Sequence, residues 1–81
     1  MTSQEFAKQM FSQAESEEIL SSRGLIKGNH GKRIHREQLI SIYDKFGDDC
    51  VSISSKDLDS FGMGHCAHRT FRRLAAIVLK K

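Results

Sequence analysis

Residues 65–79 read HCAHRTFRRLAAIVL and form the clearest amphipathic pattern in the chain. At the repeat of an α-helix, Phe71, Leu74 and Val78 fall on one apolar stripe. The basic side chains fall nearly opposite that stripe, and they are His65, His68, Arg69, Arg72 and Arg73. We therefore expect a C-terminal helix that packs on the core through its apolar stripe and exposes the basic row to water.

The preceding residues, 53–64, read ISSKDLDSFGMG and predict a short helix followed by a turn. Either of the first two serines can cap this helix, and Leu58 and Phe61 form its apolar side. Gly62 suits the positive φ at which such a helix ends, and Met63 supplies an apolar plug for the turn. A capped helix, a glycine turn and a second helix therefore follow one another.

This order resembles helix-turn-helix and winged-helix DNA-binding domains. The resemblance covers residues 35–81, with His35–Phe46 as the first helix of a tri-helical core, and residues 69–74 are similar to part of a recognition helix. Aligned without a gap, His68 takes the buried position of the motif, whereas Phe71 takes it if the turn is about three residues longer. No hairpin follows the last helix before Lys81, so we expect the tri-helical form rather than the winged one.

We expect one domain, residues 1–81, of the all-α class, with an additional N-terminal helix and a short strand or hairpin. The N-terminal helix is predicted over about residues 3–22, within segment 1–22, with an earlier end near Ser16 as the alternative. Residues 23–34 hold three glycines and are interpreted as a basic loop, with a hairpin as the second option. Gly47 is expected to end the helix His35–Phe46, and residues 51–53 alternate as in a short strand.

The apolar stripes of the four predicted helices together define a core. We expect it to contain Phe6, Met10, Leu39, Ile42, Tyr43, Phe46, Leu58, Phe61, Phe71, Leu74 and Val78. Phe6, Met10 and Phe11 make a wider stripe than a tri-helical core needs. The N-terminal helix is therefore expected either to cap the core or to form a homodimer.

Charge is strongly segregated along the chain, although the net charge is only +3. Residues 23–36 carry Arg23, Lys27, Lys32, Arg33 and Arg36 without an acid, and residues 61–81 carry five further bases without an acid. Acidic segments precede each of them. Such basic segments are typical of a surface that binds a polyanion, but acidic and basic segments can also neutralise each other in the fold.

Composition and motifs exclude several classes of protein. The chain has no proline and no apolar run near the ~20 residues of a membrane span, and its start lacks the features of a secretory signal. Two cysteines make no disulfide framework, so we expect Cys50 and Cys66 to be reduced, partly buried thiols. The spacing that zinc ligation needs is absent from Cys50, Cys66 and His68. The sequence also lacks the residue spacing of a calcium-binding loop and of a Cys–His nucleophile.

The function that we expect is non-catalytic binding of double-stranded DNA in the cytoplasm. The protein would be a transcriptional or replication regulator of a phage, plasmid or other mobile element, with no cofactor and no metal. The candidate DNA-binding residues are His65, His68, Arg69, Arg72 and Arg73 on the last helix and Lys27, Lys32, Arg33 and Arg36 before the core.

Two other partners remain open at this point. A small inhibitor or adaptor of proteins could use the basic helix against an acidic surface, with Phe6, Met10 and Phe11 as an apolar anchor. RNA is less favoured, because no exposed aromatic platform for stacking bases is evident.

Overall fold

A computed structural model describes residues 1–28, 33–64 and 67–81, beginning with the helix α1, Ser3–Ser16. The side-chain oxygen of Thr2 accepts a hydrogen bond from the Glu5 N–H at 3.1 Å, which caps the helix. The helix has the earlier of the two predicted ends. Glu18 adopts a positive φ of 60° just beyond it, a conformation that a helix cannot continue through.

A small antiparallel hairpin occupies the segment that was interpreted as a loop. Strand β1, Ile26–Lys27, pairs with β2, Arg33–Ile34, in the register Ile26 to Ile34 and Lys27 to Arg33. Leu20 forms an additional bridge to Ile26. The loop interpretation was wrong because Ile26 and Ile34 face the core as a cross-strand pair, and both are fully buried.

Helix α2, Arg36–Phe46, ends as predicted at Gly47, which has a positive φ of 59°. The chain continues as a 3₁₀ helix over Gly47–Ser52, so the expected short strand at residues 51–53 was wrong. Turning the backbone in this way carries the Cys50 side chain into the core, where it is fully buried. An extended segment would instead have alternated its side chains between two faces.

The last two helices are α3, Ser55–Ser60, and α4, His68–Leu79. Ser54 caps α3 through a 3.1 Å hydrogen bond from the Asp57 N–H. Gly62 has the expected positive φ, 80°, and Met63 is buried beside it. The all-α class, with a short hairpin, is therefore confirmed.

The core lies between α1, α2, the 3₁₀ helix and α4. Seven of the predicted core residues are buried, and Tyr43, Phe46, Phe61 and Val78 pack on the core while partly exposed. The helix α1 caps this core, since Phe6, Ala7, Met10 and Ala14 are fully buried and Phe11 packs against the core while half-buried. None of the helices in the described residues is long and apolar enough to cross a membrane.

Candidate nucleic-acid interface

The basic row of α4 is divided between exposed and anchored side chains. Arg69 and Arg73 are exposed, while Phe71 and Leu74 are fully buried on the other side of the helix. The Arg69 side chain makes no hydrogen bond or ion pair within the described residues. Arg69 is therefore the α4 arginine that is most available to a partner.

Arg72 is bonded to other parts of the fold, whereas the helical pattern predicted a side chain that faces water. Its Nη1 donates to the Ile53 carbonyl oxygen at 2.5 Å, and its Nη2 donates to the Ser55 hydroxyl at 3.3 Å. The side chain is half-buried. These bonds tie α4 to the start of α3, because the long arginine stem reaches around the edge of the helix. Arg72 thus positions the two helices instead of facing solvent.

His68 was also expected to face solvent, and it is buried with only 5% of its surface exposed. Its Nε2 lies 3.0 Å from a carboxylate oxygen of Asp59 and 3.3 Å from the carbonyl oxygen of Met63. This histidine links the first turn of α4 to the end of α3. Because its side chain is buried, His68 is removed from the candidate DNA contacts.

Arg73 forms an ion pair with Glu17, with 2.5 Å between Nη1 and Oε1. A hydrogen bond from Gln13 and a second one from Arg73 lower the pKa of the Glu17 carboxyl. Glu17 directly follows α1, so this contact places the middle of α4 beside the end of α1. Part of the predicted basic row is consequently neutralised within the fold.

The hairpin presents a second group of basic side chains. Lys27 and Arg33 are a cross-strand pair, so their side chains lie on the face of the hairpin opposite the buried Ile26 and Ile34. Lys27 is exposed and Arg33 half-buried, and Arg36 is exposed in the first turn of α2. The predicted contacts Lys32 and His65 lie outside the described residues, as does Cys66.

Both basic groups are attached to the residues that directly follow α1. The Lys27 N–H donates to the carbonyl oxygen of Ile19 at 2.7 Å, and Ile19 lies two residues after the Glu17 that binds Arg73. Arg69 is one helical turn before Arg73. We call Lys27, Arg33, Arg36, Arg69 and Arg73 the basic surface.

Helix α4 packs on α1, and the two helices share a groove. The lining of this groove consists of Gln9, Ser12, Gln13 and Ser16 of α1 and Ile77, Val78 and Lys80 of the C-terminal segment. Arg73 is bonded to Glu17, which directly follows α1.

No family model, curated protein or solved structure matches this chain. The helix-turn-helix resemblance therefore stays a prediction.

The described residues offer no metal site and a poorly reactive thiol. They contain no group of three or more His, Cys, Asp or Glu side chains that could hold a metal ion. Burial raises the pKa of the Cys50 thiol to about 11, so the thiol is protonated at neutral pH.

Sequence reasoning missed one feature of the basic segment. Ser21, Ser22 and Arg23 line a cavity together with Arg33 of the hairpin. Arg23 was counted in the basic segment but was not assigned a role. The signal that could have found it is the Arg23-Gly24 pair, which is typical of a tight turn, next to two hydroxyl side chains.

Proposed function

We propose that this chain is a small, non-catalytic protein that binds double-stranded DNA through the basic surface. The observation that supports it best is that both acid-free segments are attached to the residues that follow α1 and keep exposed bases there, with Lys27 bonded to Ile19 through its backbone and Arg73 to Glu17. In this arrangement the first half of α4 enters a groove, and Arg69 meets base edges. Lys27, Arg33 and Arg36 contact phosphates and position the helix.

From this proposal follows a role as a cytoplasmic regulator of transcription or replication. Such regulators are of the kind carried by phages, plasmids or other mobile elements. Binding without chemistry is enough for such a role, because a regulator acts by occupying its site. The free Cys50 thiol is compatible with a reducing compartment.

The alternative function, a protein inhibitor or adaptor, was expected to bind its partner through an exposed apolar anchor, and this anchor is not exposed. Phe6 and Met10 are fully buried in the core, and Phe11 is half-buried against it. A homodimer through the apolar stripe of α1 meets the same obstacle. Either assembly would need a different surface, and the described residues with large exposed apolar side chains are only Met1 and Ile77.

The direct test is fluorescence anisotropy of labelled random-sequence duplexes at low and high salt, with the full chain. We expect duplex binding that weakens steeply with salt, and Arg69→Ala should weaken it further. Lys8→Ala is the matched control. It also removes one exposed positive charge, but it lies nine residues before Glu17, about 13 Å along the helix axis.

Two results would contradict the proposal. One is the absence of binding tighter than roughly 10⁻⁴ M in low salt, which would mean that even non-specific attraction is missing. The other is an equal loss of affinity in Arg69→Ala and Lys8→Ala, which would mean that only net charge matters. In either case the protein-partner function becomes the better one, and a pull-down with Arg69 and Arg73 both replaced is the next experiment.

A further inference from the structure

The turn that leads into the hairpin forms one wall of a cavity of about 390 Å³. Its described lining consists of Ser21, Ser22, Arg23, Leu25 and Arg33. No acidic side chain is among these lining residues, and four of the five are serine or arginine. We propose that this cavity binds a phosphate group, carried either by the DNA backbone or by a free phosphorylated molecule.

Backbone hydrogen bonds hold the turn in shape before any ligand arrives. The Ser21 N–H donates to the Leu25 carbonyl oxygen at 2.8 Å, and the Gly24 N–H donates to the Ser21 carbonyl oxygen at 3.0 Å. Gly24 has a positive φ of 76°, which this reversal of the chain requires. The turn is thus closed by its own backbone and does not need the ligand to form.

The Ser21 side chain is oriented as a donor. Its hydroxyl oxygen accepts hydrogen bonds from the N–H groups of Arg23 and Leu25, at 3.3 Å and 3.2 Å. A hydroxyl has two acceptor lone pairs and one proton, so these two bonds occupy its acceptor capacity. What remains is the proton, which can be donated to an anion beside the turn.

The two arginines reach the cavity from different segments. Arg23 projects from the turn and is exposed, whereas Arg33 comes from β2, where pairing with Lys27 fixes its register. The Arg23 guanidinium can give a bidentate contact to an oxyanion, and Arg33 adds a second positive charge at the cavity. A phosphate group presents more oxygen acceptors to these arginines and to the serine hydroxyls than a carboxylate does, so it fits the lining better.

The phosphate group at this site can come from one of two ligands, DNA or a free phosphorylated molecule. If DNA supplies it, the inference rests on the proposed function and adds Arg23 to the phosphate contacts at one edge of the basic surface. If a free phosphorylated molecule supplies it, the site is independent of DNA. The volume is within the range of small-molecule pockets, at the lower end of roughly 300–1,000 Å³.

The experiment is a titration of the ¹⁵N-labelled full chain with inorganic phosphate at constant ionic strength, followed by amide and arginine Nε NMR shifts. We expect saturable shifts confined to residues 21–25 and 33, and none from acetate. Arg23→Gln should weaken phosphate binding by about tenfold. Lys8→Gln, the matched control, should leave it unchanged. Because Arg23 is exposed, the spectrum of its variant should otherwise stay that of the wild type.

A second arm measures the salt dependence of duplex binding for Arg23→Gln. A salt slope lower by about one unit identifies a DNA phosphate as the ligand. Saturable phosphate binding with an unchanged slope identifies a free phosphorylated molecule, and it stands even if the chain binds no duplex at all. The inference is overturned if residues 21–25 respond to neither phosphate nor duplex, or if acetate produces the same shifts.

Discussion

The hairpin and the C-terminal helix are equally basic and acid-free in sequence, but they use their charges differently in the fold. On α4, Arg72 is bonded to Ile53 and Ser55, and Arg73 is paired with Glu17. On the hairpin, Lys27 is exposed and its side chain makes no bond with the described residues. A cluster of positive charge in a sequence therefore mixes residues that build the protein with residues that are free to bind a partner.

The largest expected effect concerns how α4 is attached. Phe71 is fully buried, so Phe71→Ala should lower the free energy of unfolding by about 3–5 kcal/mol through lost burial and a residual cavity. Ile77→Ala on the same helix is the control. Because Ile77 is 46% exposed, this variant should lower the free energy of unfolding much less than Phe71→Ala does. Urea denaturation measures both variants. A loss below about 1 kcal/mol for Phe71→Ala would place this residue outside the core.

Replacing Arg72 should lower the stability of the fold more than replacing Arg69 does. Arg72→Ala leaves the Ile53 carbonyl without its partner and should cost about 1–2 kcal/mol, a value reduced by the partial exposure of the site. Arg69→Ala should change stability by no more than about 0.5 kcal/mol. Thermal melts of the two variants make the comparison. Equal melting temperatures would mean that Arg72 does not join α3 to α4.

The junction between α1 and the hairpin holds a strained residue. Glu18 has a φ of 60°, a region that glycine enters without steric cost. Glu18→Gly should therefore stabilise the fold by about 0.5–1 kcal/mol, after the greater freedom of glycine in the unfolded chain is subtracted. Glu18→Ala keeps the strain and should give no such gain. If both variants melt at the same temperature, residue 18 does not carry this strain.

The smallest stability effect should come from the Glu17–Arg73 pair. Hydrogen bonds from Gln13 and Arg73 lower the pKa of Glu17 in the folded state, so these contacts stabilise the fold above the ordinary carboxyl pKa of 4.5, and this stabilisation is lost as the pH falls through the lower folded value. A surface pair of this kind contributes about 0.2–1 kcal/mol. Glu17→Gln should flatten the pH dependence of unfolding below pH ~5 relative to the wild type.

Glu17→Gln should at the same time strengthen duplex binding, because it removes an acid beside the basic surface and releases Arg73. Gln13→Ala is a suitable control, since it removes the other partner of Glu17 without changing the charge. Anisotropy in low salt gives the affinities. Unchanged affinity in Glu17→Gln would indicate that Arg73 takes no part in binding.

Local signals in the sequence predicted much of the fold. Ser54 caps α3, and Gly47 and Gly62 end helices, as expected, and Phe71 and Leu74 of the C-terminal stripe are buried. Each of these features depends on neighbouring residues in the chain. The hairpin was only the second option for residues 23–34, because its strands have two residues each, too few for an alternating pattern to show.

The candidate site was predicted less well because its outcome depends on distant partners. The helical repeat correctly placed Arg69 and Arg73 away from the core. It could not show that the Ile53 carbonyl is within reach of Arg72, or that Asp59 lies beside His68. These partners are brought in by α3 and the segment before it, and a helical pattern contains no information about them.

The most direct test of the basic surface is a map of the amide shifts that a random-sequence duplex produces in the ¹⁵N-labelled full chain. We predict that the shifts concentrate in residues 26–28, 33–36 and 69–73, on the hairpin and the first half of α4 together. The exposed side of α1 around Lys8 should remain unchanged. Shifts on α4 without the hairpin, on the hairpin without α4, or spread evenly over all lysines and arginines would contradict a joint DNA-binding surface.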